Sequence, residues 1–499
     1  MSYKLNLSGL QRGGATSITQ QLVDRISAAI EAGDLDPGAK LPPTRELAEL
    51  ADVNHLTAAR VYRKLAELGY VSASVGRGTF VRALTPASSA SHGDDWQAYA
   101  LPPEELSYAE QVLADTFSLA GRDDVISLAI GWPAPSNYPT EELARITAEV
   151  FEEEGGNALS YLSAEGLFEL REQIAARGRT FGYAEDAEEI IVTSGAQQAI
   201  ALCAQATLEP GDVAVVESPT FIGMMTAMRG TRARVIGAPV DEDGFDVDAL
   251  ERLLARHEVK IVGLQTACQN PTGRNLSEER RARLAELAVE RNFFILEDRV
   301  YADMNFEGSF VRSLRELAPA HVLYVNSLSK VVGGGLRAGW VAARGPVRER
   351  LAMLKLDADF HTPTLIQHIA ARWLATGAYE RHVERTRPFY RERRDALLAS
   401  LERHLAGEYH VDPPTGGHHL WVTLARPLDE RTLYAEAARH GVTFTPGGAV
   451  TAERRSQTSF RLSFSLLDPE QLDEGVRRLA RAIREVRRRS RAGIPAAMS

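Results

Sequence analysis

One stretch of the chain gathers residues suited to covalent chemistry: Tyr324-Val-Asn-Ser-Leu-Ser-Lys330-Val-Val-Gly-Gly-Gly-Leu-Arg337. The apolar run 322–325 reads as a buried strand, and Lys330 follows its end. A lysine there has little water around it. Desolvation lowers its pKa and exposes a nucleophilic amine of the kind that forms Schiff bases. Ser327, Ser329 and Arg337 suit a dianionic phosphate, and Gly333, Gly334 and Gly335 let backbone approach it closely. By itself the stretch fits a loop lysine on a solvated surface better, so its meaning depends on what the rest of the chain brings.

Four further segments have matching chemistry. Thr193-Ser-Gly-Ala-Gln-Gln-Ala199 follows a strand and opens a helix, where the N–H groups of Gly195, Ala196 and Gln197 can bind phosphate. Phe221, in Glu217-Ser-Pro-Thr-Phe221, can stack on a planar ring. Asn270, in Gln269-Asn-Pro-Thr-Gly273, can donate to a ring oxygen. Asp298 ends another strand and needs a cationic partner there; a pyridinium N–H would serve, with Tyr301 in reach of a ring hydroxyl. Each segment alone has a plain alternative: a capped turn, a core phenylalanine, a generic Asn-Pro turn, a helix cap.

The elements that must position these residues are short apolar runs alternating with amphipathic stretches. Strands are predicted at 190–193, 213–217, 235–240, 261–265, 293–297, 322–325 and 340–343, and helices at 197–208, 247–257, 277–291 and 346–356. Alternation of this kind predicts a largely parallel sheet with helices on both faces, whose ligands lie beyond the carboxyl ends of the strands.

At 499 residues the chain exceeds one ordinary domain. No apolar run approaches the ~20 residues of a membrane span, and the N-terminus lacks an apolar signal region, so the cytosol is the expected compartment. Two cysteines, Cys203 and Cys268, make neither a disulfide framework nor a zinc site, and no metal is expected. Residues 1–83 hold ten Lys/Arg against eight Asp/Glu, about +2, while the whole chain carries −10. A mildly basic head on an acidic body permits nucleic-acid binding by the head.

In that head, residues 17–82, Ile18, Leu22, Ile26, Ala29 and Ile30 predict one helix, with Gly33 as its stop. A second helix opens after Pro42-Pro43 with Thr44 as N-cap. Asn54 caps a third, which buries Ala58, Val61, Tyr62 and Leu65 and ends at Gly69. Two strands then flank Gly76-Arg77-Gly78, a hairpin with a basic tip. Three helices and a hairpin make a winged helix-turn-helix. Leu41-Pro-Pro-Thr-Arg-Glu-Leu-Ala48, Thr57-Ala-Ala-Arg60 and Gly76-Arg-Gly-Thr-Phe-Val81 resemble the head of GntR-type repressors. His55, Thr57, Ala59 and Arg60 would face the major groove, and Arg45 and Arg77 would contact phosphate or the minor groove. Residues 83–105 are small, polar and aperiodic and read as a flexible tether, with Trp96 and Tyr99 expected to dock locally on a neighbouring surface.

From 106 to 491 the order of motifs carries the signal: SGAQQ, the aromatic, NPTG, DxxY, then SxSK with a trailing arginine. The order resembles fold-type I pyridoxal-phosphate enzymes of the class I aminotransferase kind. The resemblance implies an α/β body with a large mostly parallel sheet domain and a small domain, and pyridoxal 5'-phosphate joined to Lys330 as an aldimine. It implies Ser327, Ser329, Arg337, Gly195, Ala196 and Gln197 around the phosphate, and Asn270, Asp298 and Tyr301 on the ring. Phe221 stands where many relatives carry tyrosine. Tyr161 matches a residue that reaches the partner subunit's phosphate, Arg461 one that grips a substrate α-carboxylate, and Gly131 the N-terminal loop over the substrate. Head plus body is similar to the MocR group of transcriptional regulators, usually dimers. The function implied is a regulator that binds double-stranded operator DNA and senses an amino compound or the cofactor through Lys330. The alternative is an aminotransferase, acting on an amino acid and a 2-oxo acid, with an accessory head. The closing run Arg487–Arg491 is expected to be the solvated end of a last helix.

Overall fold

The computed structural model describes residues 17–31, 34–35, 39–67, 70–74, 78–81, 107–120, 122–306, 311–453 and 457–491. Gly33, Gly69, Gly76, Arg77 and the segment 83–105 with Trp96 and Tyr99 lie outside them. The chain divides into two compact units, Met1–Glu105 and Leu106–Ser499.

The first unit contains α1 (Ile18–Glu31), α2 (Thr44–Leu50), α3 (His55–Glu67) and the antiparallel pair β1 (Val71–Ser74) and β2 (Gly78–Val81). Leu22, Ile26, Leu47, Ala58, Val61 and Leu65 form its core, so the apolar spacing of the sequence does fold inward. Thr44 is not the cap of α2. Pro43 takes that place in extended conformation, without a side-chain hydrogen bond, and Thr44 is the first helical residue. The fixed φ of Pro43 sets the entry, and the Tyr62 hydroxyl donates to the Pro42 carbonyl at 2.5 Å, tying that entry to α3. Asn54 does cap α3: its Oδ1 accepts from the Thr57 N–H at 2.7 Å. Asn54→Ala is expected to cost about 1 kcal/mol of local stability. In full-length protein the exchange-protected amides of α3 would then open roughly fivefold more often, measured by hydrogen exchange.

The second unit is built on an eight-stranded sheet. Its strands are β4 (Ile190–Thr193), β5 (Val213–Ser218), β6 (Arg234–Asp241), β7 (Gly244–Phe245), β8 (Val259–Leu264), β9 (Phe294–Asp298), β10 (Val322–Ser327) and β11 (Gly339–Ala342), in the spatial order 4-11-10-9-8-5-6-7. Strands 5, 6, 8, 9 and 10 are mutually parallel. They are apolar because both faces are covered. Val216, Ile261 and Leu296 join Leu202 and Cys203 of the helix Ala196–Thr207 on one face; Val215, Val262 and Ile295 join Leu250, Leu284 and Leu287 on the other.

The exception inside the sheet is β11, which runs antiparallel to both neighbours. The physical reason is length. A parallel return needs a crossover of a dozen or more residues, usually helical, whereas 328–338 is short and holds only single turns of 3₁₀ helix. The consequence for the site is direct. The carboxyl end of β10 and the amino end of β11 meet at Ser327 and Gly339, and Gly339 in turn pairs with Thr193 of β4.

A smaller antiparallel sheet holds β12 (Tyr409–Val411), β13 (His419–Leu424), β15 (Thr445–Pro446) and β16 (Ser459–Ser463), while β3 (Ile126–Ser127) pairs with β14 (Val442–Thr443). The last helix, Pro469–Arg491, ends in the arginine run. Arg487 pairs with Glu408, Arg488 with Glu485, and Arg489 with Glu436 and Glu485, so these arginines are committed within the unit. Among the described residues no helix is long and apolar enough to cross a membrane.

Candidate active site

The carboxyl ends of β4, β5, β8, β9 and β10 and the amino end of β11 surround one cavity of about 160 Å³. Ala196, Gln197, Phe221, Gln265, Asn270, Asp298, Val300, Tyr301, Ser327, Ser329, Lys330 and Arg337 line it. Residues up to 141 positions apart, from Ala196 to Arg337, thus converge on one space.

Lys330 ends a single 3₁₀ turn, Leu328–Lys330, whose N-cap is Ser327. Its amine donates to the Gly131 carbonyl at 3.0 Å. Burial, then the Arg461 charge, push the amine down to about 8, with Asp298 pulling the other way. Asp298 is buried at the end of β9 and accepts from the Val300 N–H at 3.2 Å and from Gln265 Nε2 at 2.8 Å. Burial raises its carboxyl to about 6 against those hydrogen bonds and Lys330. Two neutral donors leave this buried carboxylate suited to a further N–H or cationic partner.

Gly195 caps the helix Ala196–Thr207 with φ +97°. A Cβ on Gly195 would stand 2.6 Å from Nη2 of Arg337, and one on Gly339 would stand 2.7 Å from the Gly195 carbonyl carbon. Around Gly334 and Gly335, chain neighbours apart, no protein heavy atom lies within 4 Å of where a Cβ would be, so that side of the loop is open. Arg337 Nη2 donates to the Ser194 carbonyl at 2.6 Å. Helix N–H groups, two serine hydroxyls and a guanidinium therefore converge from three strand ends.

Asn270 is buried, and its Oδ1 accepts from Nη1 of Arg461 at 2.9 Å, leaving its amide N–H groups for the cavity. Arg461 lies on β16 of the small sheet. Its Nη2 also donates to the Ala129 carbonyl at 2.5 Å and to Thr445 Oγ1 at 3.0 Å, while its buried Nε has no partner among the described residues. Phe221 is half-buried at the head of the helix Ile222–Gly230. Tyr161 is not in this cavity: it is 87% exposed, edge-on to His361.

Sequence reasoning missed several residues. Gln265 links Asp298 to Asn270, whose N–H it accepts at 2.7 Å. Glu217 is buried beneath, accepting from the Gln265 N–H at 3.0 Å and Gln269 Nε2 at 3.1 Å. His418 and His419 pack on Tyr301, and His419 Nε2 lies 3.0 Å from the Tyr301 hydroxyl. The His-His doublet after Gly416-Gly417 was the one visible signal, since paired histidines at a strand start are unusual ballast. Among the described residues no group of His, Cys, Asp or Glu is placed to hold a metal.

On the head, His55, Arg60 and Arg45 are exposed and Thr57 and Ala59 half-buried, all on α2 and α3. Leu56 stands among them, 69% exposed.

The fold and cavity together define an aminotransferase-type domain joined to a helix-turn-helix module. The family model of aminotransferase class I and II matches residues 123–479, and that of the bacterial regulatory proteins of the gntR family matches residues 18–81. The chain belongs to the class I and II aminotransferase family, and carries a GntR regulatory domain ahead of it. Two relatives share the whole arrangement. The uncharacterized HTH-type transcriptional regulator YdcR of Escherichia coli is 29% identical over 93% of this chain and 99% of its own. The probable rhizopine catabolism regulatory protein MocR of Rhizobium meliloti is 26% identical over 95% of each. Among solved structures, the α-aminoadipate aminotransferase LysN of Thermus thermophilus, complexed with N-(5'-phosphopyridoxyl)-L-leucine, superposes with a TM-score of 0.70. It is 34% identical and covers 77% of this chain and all of that one.

Proposed function

We propose that this chain is a transcription regulator that binds operator DNA through its head, holds pyridoxal 5'-phosphate in its body, and senses an amino compound there. The observation that carries the reading is the amine of Lys330. It stands in one cavity with a buried carboxylate and a set of phosphate donors, on a chain that also bears a GntR domain.

The residues fit the cofactor. Asp298 offers a buried carboxylate to a ring N–H, and Asn270 has amide donors free for a ring oxygen. Phe221 supplies a face for stacking, and Tyr301 a hydroxyl. Gly195 leaves room at the helix N-terminus, where the N–H groups of Ala196 and Gln197, with Ser327, Ser329 and Arg337, suit a dianion. Bound, the cofactor supplies an aldehyde that amines condense with. Lys330 presents the competing amine, and the N-terminal loop at Gly131 holds it until then. Arg461 would orient the carboxylate of an amino-acid-like effector. Tyr161, lying outside the cavity of its own chain, would serve the phosphate site of a second copy, which makes a homodimer part of this proposal.

Effector exchange must favour one conformation of the body differentially to be read by the heads. On DNA, His55, Thr57 and Arg60 would meet base edges, with Arg45 and Arg77 on phosphate or in the minor groove. A regulator of this kind works in the bacterial cytosol, where its operator lies. The test is operator affinity and footprint with and without cofactor and candidate amines. Identical footprints throughout reject the coupling. Robust turnover of amino acids and 2-oxo acids without sequence-specific DNA binding would replace the reading by an aminotransferase.

The pH dependence follows from the lysine. With its amine at about 8, roughly a tenth is unprotonated at pH 7, against about one part in three thousand for an ordinary lysine. The rate of covalent cofactor uptake is therefore expected to rise with pH and level off above about 8, read by absorbance after mixing. A rate still climbing tenfold per unit at pH 9 would contradict it.

A further inference from the structure

His418 and His419 stand against the Lys330 and Tyr301 end of the cavity. His419 is buried. Its Cε1 is 2.2 Å from where a Cβ on Gly131 would be, so the ring packs in the space that the missing side chain leaves. Its Nε2 faces the Tyr301 hydroxyl at 3.0 Å, and its buried Nδ1 has no partner among the described residues. His418 points Nδ1 at the Gly131 carbonyl at 3.5 Å, the same oxygen that takes the Lys330 amine.

Neutral imidazole has one N–H and one lone pair, and the phenol has one proton. Two arrangements satisfy the 3.0 Å contact. If His419 carried its proton on Nδ1, a buried N–H would be orphaned, and Tyr301 would spend its own proton on His419. If the proton sits on Nε2, only a lone pair is left unmatched, and Tyr301 is free to donate into the cavity. Orphaned buried N–H groups are rarer than under-satisfied acceptors, so the second arrangement wins.

We propose that His419 is a positioning residue: its Nε2–H donates to the Tyr301 oxygen and turns the Tyr301 proton into the cavity, toward the ring oxygen of the bound cofactor. Burial and the neighbouring Arg461, His418 and Lys330 keep the His419 ring uncharged, consistent with this tautomer. Accepting a hydrogen bond makes the phenol a stronger donor. A stronger donor draws charge from the ring oxygen and loosens that oxygen's hold on the nearby nitrogen proton. The inference rests on the cofactor reading given above.

Two measurements test it. The first is independent of the cofactor: long-range ¹⁵N-histidine NMR on the full-length protein without cofactor at neutral pH. His419 is expected as the Nε2–H tautomer; an Nδ1–H tautomer or an imidazolium overturns the proposal. The second follows the pH midpoint of the bound cofactor's colour change. His419→Phe is expected to raise it by about 0.5–1 pH unit, the worth of one hydrogen bond. His419→Gln, which keeps an N–H for the same oxygen, should raise it less. Tyr301→Phe should raise it more, and adding His419→Phe to Tyr301→Phe should change nothing further. An unmoved midpoint in His419→Phe overturns the proposal, as does an equal shift in the Tyr301→Phe background. If the variants do not fold, the NMR of the wild type decides. If wild-type protein takes up no cofactor, the function reading fails while the tautomer is still decided.

Discussion

Lys330→Met is expected to take up no cofactor covalently: reduction with borohydride traps no adduct, where wild type is labelled at Lys330. Operator binding should persist, because the core of the head is closed on itself, but its response to cofactor and amines should vanish. A variant that still responds would sink the sensing role of Lys330. The same substitution has a second consequence for cofactor-free protein. The folded-state pKa of Lys330 is depressed to about 8, from 10.5 for a free lysine. Between those values the unfolded chain binds the extra proton and the folded chain does not, so wild-type stability rises with pH across that window. Below about 8 the cost of the buried charge is fully present. Lys330→Met fills similar volume without charge, and is expected to be more stable than wild type at pH 7 by up to about 3 kcal/mol. The advantage should fade as pH rises from 8 toward 10.5, measured by urea unfolding at each pH.

Arg461 carries the other large effect. Arg461→Lys is expected to weaken carboxylate-bearing amines by about 100-fold, in line with the 2–5 kcal/mol typical of truncating a buried charge-assisted contact. A lysine keeps a charge but not the planar fork. Amines lacking the carboxylate should bind the variant and the wild type alike, read by spectral titration of the bound cofactor. Equal losses for both kinds of amine would mean that Arg461 holds the cleft rather than the ligand. The Arg461 Nη1 and Nη2 bond to Asn270, Ala129 and Thr445, its Nε is buried without a partner among the described residues, and burial pushes the guanidinium down to about 10.

Much of the candidate site was legible in the sequence, and for a definite reason. Motifs that follow a strand are local: the apolar run ends at Val325, the strand continues two residues to Ser327, and Lys330 comes three residues later whatever the rest of the chain does. Asp298 and Asn270 were found the same way. What stayed hidden was lateral. Gln265 matters because β8 lies beside β9, and His419 because β13 of another sheet abuts Tyr301; neither adjacency is written in the local spacing. Thr44 looked like a cap because threonine often is one, but the proline before it had already fixed the helix entry. The direction of β11 could have been argued from the shortness of 328–338, a length visible in the sequence.

That counter-running strand has a further implication. Both feet of the excursion from Ser327 to Gly339 are anchored as the two ends of one rung of the ladder, so its amine and its guanidinium form a single pre-measured clip. An extra residue at either foot would shift the group beside that foot relative to the sheet and so change its distance from the other. For protein engineering, the portable module is this whole clasp together with the glycine it leans on, rather than any one of its charged residues.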